Sequence, residues 1–128
     1  MRKILLIEDD HPTIEIYKEI LKKAKFEVEV LEWGNDGLNA LEAMKEGKKG
    51  KPDLVLLDLI LPDINGIEIL KKAKQDEKLK DIPFFVLTNY TDLESEQESR
   101  EFGAEKYLVK SNYTPAQIIK VIKTRFRK

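Results

Sequence analysis

Short apolar runs alternate with amphipathic repeats along the whole chain, and their order predicts the architecture. Lys3 to Ile7 is an apolar run that stops abruptly at Glu8, Asp9 and Asp10. Pro12 suits a first helical turn, and Ile14, Tyr17, Leu21 and Ala24 follow at helical spacing, with Ile16 and Ile20 alongside. Phe26 to Val30 alternates apolar and acidic residues, a period of two that marks a strand with one exposed face, most simply at a sheet edge. After Trp33 and Gly34 a second helix is expected, capped by Asn35 or Asp36. Leu38, Leu41 and Met44 form its buried stripe, and Gly47 stands just past its end. Leu54 to Leu57 reads as a strand buried on both faces. Asn65 and Gly66 open a third helix with Ile67, Leu70 and Ala73 inward, and Phe84 to Leu87 forms a fourth strand ending at Thr88.

Asp92 to Phe102 is poor in apolar residues, with Leu93 and Phe102 bracketing mostly Glu, Ser and Gln, so it is read as a mobile or partner-facing helix. Gly103 and Ala104 end it, and Tyr107 to Val109 is a fifth strand ending at Lys110. Thr114 and Gln117 have capping-box spacing around Pro115, and Ile118, Ile119, Ile122 and Phe126 line a final helix. Five strands alternating with five helices predict a single doubly wound α/β domain with a parallel sheet and helices on both faces. The charged second strand belongs at an edge, which favours the strand order 2-1-3-4-5. The domain is expected to occupy residues 1–128, the final helix running to the last residues and leaving nothing for an output domain.

Composition narrows the chemistry. Hydrophobic residues make up 41% and charged residues 37%, and 23 basic against 24 acidic residues give a net charge of −1. That balance carries no global footprint for nucleic acid or anionic lipid. The absence of cysteine removes disulfides, thiolate chemistry and Cys-ligated zinc, and a single histidine, His11, removes a multi-His metal site. His11 is read as a loop residue without a catalytic partner. The apolar stretch from Ile4 to Ile7 is too short for a signal peptide, and no run reaches transmembrane length, so a cytoplasmic protein is expected.

The informative feature is where the strands end. Strand one stops at Glu8 and Asp9, strand three at Asp58, strand four at Thr88 and strand five at Lys110, all on the carboxyl edge where open α/β sheets bind ligands. Carboxylates crowded together need counter-charge. Lys110 supplies one positive charge, and a divalent cation with all-oxygen ligands would supply the rest: magnesium, manganese or calcium. A carboxylate nucleophile, a cation, a lysine and a hydroxyl are the parts of aspartyl-phosphate chemistry. Singly, each has an ordinary explanation. Asp9 or Asp10 can cap a helix, Glu8 can be solvated, Thr88 can end a strand and Lys110 can be a surface lysine. Their coincidence on one edge is what those explanations leave out.

Leu6-Ile7-Glu8-Asp9, Leu56-Leu57-Asp58 followed by Leu61-Pro62 and Asn65-Gly66, Leu87-Thr88, Phe102-Gly103-Ala104 and Tyr107-Leu108-Val109-Lys110 together resemble the receiver domains of two-component signalling. The resemblance covers essentially the whole chain. It implies a flavodoxin-like, chemotaxis-type fold, with Asp58 as phosphoacceptor. It also implies that Glu8, Asp9, Asp58 and the Ile60 backbone carbonyl hold Mg2+, with Mn2+ as an alternative. Thr88 and Lys110 would engage the phosphoryl group, and Tyr107 would be the switch aromatic, with plain strand packing as the competing reading. Asp10 would add charge without binding metal. The implied donor is a histidine kinase or histidine phosphotransfer protein. The implied target is a protein bound at the last two helices and fifth strand, the domain acting as a monomer or a phosphorylation-dependent dimer.

Three departures from the family pattern stand out. Ser111 follows Lys110 where the family usually has a proline with a cis bond, and a cis peptide before serine would cost roughly 3 kcal/mol. Asn89 replaces a small residue and narrows access to Asp58. Ile60 and Tyr90 occupy positions that tune loss of the phosphoryl group, and an apolar and an aromatic residue there imply slow self-dephosphorylation. Two other classes remain beside a receiver. A haloacid-dehalogenase-type phosphatase would need a second acid where Ile60 stands, and a nucleotide-binding module would need a Gly-rich loop after strand one. A degenerate receiver that only binds partners is the remaining rival.

Overall fold

In the computed structural model, which describes residues 1–127, the predicted alternation is present. The strands are β1 (Lys3–Ile7), β2 (Glu27–Leu31), β3 (Leu54–Leu57), β4 (Phe84–Thr88) and β5 (Lys106–Val109). The helices are α1 (His11–Lys23), α2 (Gly34–Lys45), α3 (Ile67–Lys74), α4 (Leu93–Glu101) and α5 (Pro115–Arg125). All strand pairs are parallel and the order is β2-β1-β3-β4-β5, so the charged second strand does lie at an edge.

Alternate residues of each strand face opposite layers. Leu5, Ile7, Val55, Leu57, Phe84 and Val86 pack toward α2 and α3, while Ile4, Leu6, Leu54, Leu56, Phe85, Leu87 and Leu108 pack toward α1 and α5. Every β3 residue from Leu54 to Leu57 is fully buried. Each such side chain contributes roughly 1.5–3 kcal/mol. Together they outweigh the few kcal/mol that an imperfectly compensated carboxylate at the strand's end would cost. This is how the sequence can afford Asp58 where it stands.

Register sets the site. Ile7 pairs with Leu57, so Glu8 and Asp58 both lie one step past the same rung. Thr88 pairs with Val109, which leaves Lys110 one step beyond that rung.

Several local expectations need correction. His11 begins α1 instead of lying in a loop, and its Nε2 lies 2.6 Å from Glu32 Oε1. Asp10, one of the two acids expected to be able to cap a helix, does cap it, accepting from the Thr13 N–H at 3.2 Å and the Thr13 hydroxyl at 2.5 Å. Helix α2 is not capped by Asn35 or Asp36, which lie inside its first turn, and Trp33 at the cap position offers no acceptor. The Gly34 and Asn35 N–H groups donate instead to the two carboxylate oxygens of Asp63, each at 2.8 Å. Leu38 is only half-buried, and Gly37, Ala40, Leu41 and Met44 form the inward face. On α4 the buried residue is Ser99, while Leu93 is 66% exposed. The Thr114–Gln117 capping box forms as expected, and α5 ends at Arg125 with Phe126 as its cap. Lys128, to which the final helix was expected to run, lies outside the described residues.

Candidate functional site

Glu8, Asp9 and Asp58 each bring a carboxylate oxygen to the carboxyl edge of the sheet, and these three atoms lie within 4.8 Å of one another. The arrangement follows from short backbone distances. The Glu8 N–H donates to Leu31 O and the Asp58 N–H to Ile7 O, both at 3.0 Å, so the chain is still held at ladder spacing where the acids begin. Glu8 is 1% exposed and Asp58 7%, while Asp9 is open to solvent. Glu8 Oε2 accepts from the backbone N–H groups of Asp9 and Asp10, at 3.1 and 3.2 Å.

Lys110 closes the cluster from the far side. Its Nζ donates to Glu8 Oε1 and, at 3.1 Å, to Asp58 Oδ2. Asp58 Oδ1 accepts from the Ile60 N–H at 3.1 Å. Burial first, and then the charge of Asp58, push the Glu8 carboxyl up to about 7, against the opposing pull of Lys110. Burial by itself would lower the Lys110 ammonium. The hydrogen bond to Glu8 and the charges of Asp58 and Glu8 outweigh it and hold that group above its usual range. One lysine facing three acids leaves negative charge in excess, and the donors are all oxygen. That set suits a hard divalent cation such as Mg2+ or Mn2+.

The segment after Asp58 folds tightly back on the strand end. Gly66 donates to Leu59 O at 2.7 Å, and Ile60 forms an isolated antiparallel bridge with Asn65. A Cβ on Gly66 would lie 2.3 Å from the Asp58 carbonyl oxygen and 2.9 Å from Leu59 Cα, so no other residue fits there without moving the backbone that carries the acid.

On the opposite side, Thr88 is fully buried and its Oγ1 accepts from the Tyr90 N–H at 3.3 Å. Tyr107 is 7% exposed, and its Oη donates to the Tyr90 carbonyl at 2.7 Å, so the ring is turned inward beneath the β4–α4 loop. Burial, with the nearby acids Glu96 and Asp92, pushes the Tyr107 phenol up to about 12, so it stays protonated and a donor. Asn89 is exposed, and the Ile60 and Tyr90 side chains, 53% and 42% exposed, share a shallow cavity of about 340 Å³ at the lip of the site. Among the described residues no peptide bond is cis. Lys110 to Asn112 forms a 3-10 turn, which carries the chain away from Lys110 without the geometry a proline would bring.

The strand ends thus bring Glu8, Asp9, Asp58 and Lys110 together, with Thr88 and Tyr107 on the neighbouring strands. The sequence had no signal for Asp63 as a long-range helix cap, because its partners Gly34 and Asn35 are remote in the chain. The Ile60 N–H on Asp58, two residues on, is an Asx-type contact that Asp58 alone does not single out.

Residues 4–123 match the response regulator receiver domain. The chain is 27% identical over 123 residues to a polar-differentiation response regulator, DivK, of Brucella anthropi, covering 96% of this chain and 94% of the relative. It superimposes on the crystal structure of the phosphorylated cyanobacterial phytochrome response regulator RcpA with a TM-score of 0.82 at 30% identity, covering 96% of this chain and 89% of that one. The Mn(2+)-bound form of response regulator Rcp1 gives a TM-score of 0.82 at 31% identity, over 97% and 91% of the two chains.

Proposed function

The chain belongs to the response regulator receiver domains, signalling domains of two-component systems, and from that premise we propose that it accepts a phosphoryl group on Asp58. The observation that carries the reading is the bridge from Lys110 to both Glu8 and Asp58 at the mouth of the sheet. A buried carboxylate is there held beside a cation in a site still rich in negative charge. One similar structure is of a phosphorylated regulator and another of a Mn(2+)-bound one, and both support the proposal.

In the proposed reaction a carboxylate oxygen of Asp58 forms a new P–O bond while the P–N bond to a donor imidazole breaks. The electron pair leaves with the imidazole nitrogen, which then takes up a proton. Glu8, Asp9, Asp58 and the Ile60 carbonyl would hold Mg2+, or Mn2+ in its place, and the bound cation would offset the repulsion between the carboxylate and the approaching phosphoryl oxygens. Lys110 can move from Asp58 Oδ2 to a phosphoryl oxygen while keeping its hold on Glu8. The Thr88 hydroxyl, by giving up the Tyr90 N–H, can donate to the phosphoryl group, and that shift pulls on the loop under which Tyr107 is bonded. The consequence would be a change at the surface of α4, β5 and α5, where a protein target binds.

The donor is proposed to be a histidine kinase or histidine phosphotransfer protein, and the setting the cytoplasm; among the described residues no helix is long and apolar enough to cross a membrane. Ile60 and Tyr90 line the lip with carbon, so attacking water finds little to orient it and self-dephosphorylation is slow. Decay of the labelled protein within seconds at neutral pH would contradict this. Acetyl phosphate with Mg2+, followed by intact-mass analysis, tests the main reading. One phosphoryl adduct is expected on the wild type, dependent on metal and missing from Asp58→Asn. No adduct, or an equal one on the variant, overturns it.

A further inference from the structure

We propose that Asp63 is a positioning residue for the metal side of the site, clamping the tip of the 59–66 loop to the first turn of α2 so that the Ile60 carbonyl is presented in a fixed place. The proposal rests on the reading of Asp58 and Ile60 given above. Asp63 lies exposed beyond Pro62, where a carboxylate would ordinarily be solvated. Here both its oxygens are committed to another element, Oδ1 to the Gly34 N–H and Oδ2 to the Asn35 N–H, each at 2.8 Å, with Ile64 N–H also on Oδ1 at 3.1 Å. These bonds, that from Asn35 foremost, hold its carboxyl below the usual range, so it is ionised at neutral pH. Negative charge at a helix N-terminus is favourable, and α2 brings no capping side chain of its own.

A second observation comes from the other side of the contact. A Cβ on Gly34 would lie 2.2 Å from Ile64 Cγ1 and 3.0 Å from Asp63 Oδ1. The helix start is therefore stripped to hydrogen at the point where the loop arrives, and any larger residue would have to displace the Ile64 side chain and crowd the Asp63 carboxylate. With the tip fixed to α2, the Ile60–Asn65 bridge in the middle and Gly66 against the Asp58 carbonyl at the base, Ile60 is constrained from three directions. Partners that hydrogen-bond a metal ligand directly typically change metal affinity by about 10- to 100-fold when removed, and Asp63, which acts on Ile60 through the loop, belongs at the low end of that range.

The test compares wild type, Asp63→Ala, Asp63→Asn and Ala40→Gly, the last loosening α2 at a buried position away from the loop. Mn2+ alone is titrated by calorimetry, amide hydrogen exchange is followed, and acetyl phosphate labelling is measured at limiting and saturating Mg2+. For Asp63→Ala the Mn2+ Kd is expected to rise about tenfold, and exchange to quicken at Gly34, Asn35, Ile60, Leu61, Asp63 and Ile64. Labelling should slow at limiting Mg2+ and recover at saturation. Asp63→Asn, which keeps one acceptor oxygen, should fall between, and Ala40→Gly should lose stability without losing metal. Equal Mn2+ affinity in Asp63→Ala and Ala40→Gly overturns the clamp while leaving the site reading intact. A wild type that binds no Mn2+ sinks the site reading, and the clamp's purpose with it.

Discussion

Two loops border Asp58, and they are built on opposite plans. The β3–α3 loop is tied at its base by Gly66, at its middle by the Ile60–Asn65 bridge and at its tip by Asp63 on α2. The β4–α4 loop, residues 89–92, is exposed throughout. It is tied down by the Tyr90 N–H on Thr88, the Tyr107 hydroxyl on Tyr90 O and the Asp92 cap of α4. Helix α4 behind it buries only Ser99, whose Oγ has no hydrogen-bond partner among the described residues. One wall of the site packs against the backbone that carries Asp58, and the other is exposed and held by single hydrogen bonds. Segments that move in signalling come from the low-stability end of a fold, so the asymmetry fits the proposed roles, metal binding on the fixed side and switching on the other.

The comparison breaks most severely at Gly66. Gly66→Ala should cost roughly 3 kcal/mol in urea unfolding and abolish adduct formation, because the loop cannot back away without moving Asp58. A cost below about 1 kcal/mol would mean that this wall yields easily. Glu8, held beside Asp58 past the same rung of the sheet, makes a pH prediction. Its carboxyl stands at about 7 in the folded protein against an ordinary 4.5. The folded state therefore binds more protons between those values, and stability of the metal-free domain falls as pH rises through that window and levels off above it. The total for Glu8 is about 3 kcal/mol. Subtracting the stability curve of Glu8→Gln from that of the wild type should isolate it, and saturating Mg2+, by keeping Glu8 ionised in the folded state, should flatten the slope in that window. Parallel curves would rule it out.

On the loose wall the effects are smaller. Tyr107→Phe removes one buried hydrogen bond and should cost about 1 kcal/mol. Exchange should quicken at 89–92 while Mn2+ affinity stays at the wild-type value; a loss of metal binding would show the two walls to be one unit. Ser99→Ala removes an unpaired buried hydroxyl and should leave stability unchanged or raise it by less than about 1 kcal/mol. A clear loss would mean that the hydroxyl has a partner in solution and that α4 is better anchored than its packing implies.

The same contrast explains what could be read from the residues alone. Strand patterns, the edge position of β2 and the charged strand ends are written in local periodicity and in register, so Glu8, Asp9, Asp58, Thr88 and Lys110 were legible together. Asp63 was not, because its partners Gly34 and Asn35 are far away in sequence and their N–H groups carry no residue-type signal. Nor was the inward face of α4. Between Leu93 and Phe102 no apolar residue marks an inward face, yet packing buries Ser99 and leaves Phe102 half-exposed under the Lys71 ammonium, 4.8 Å from the ring centroid. His11 was misplaced because Asp10 takes the cap position, which makes His11 the first residue of α1.

The sheet order has a kinetic consequence. Since β1 lies between β2 and β3, everything up to Leu57 can pair before the second half of the chain is engaged. Glu8 and Asp58 would then meet early, whereas Lys110 arrives only when β5 docks at the far edge. The nucleus must carry two acids without their cation, and mild acid, by protonating Glu8, should speed the early phase of refolding. On this hypothesis substitutions in β1 and β3 give high φ-values and those in β5 low ones. The reverse ranking would mean that folding begins at the edge carrying the lysine.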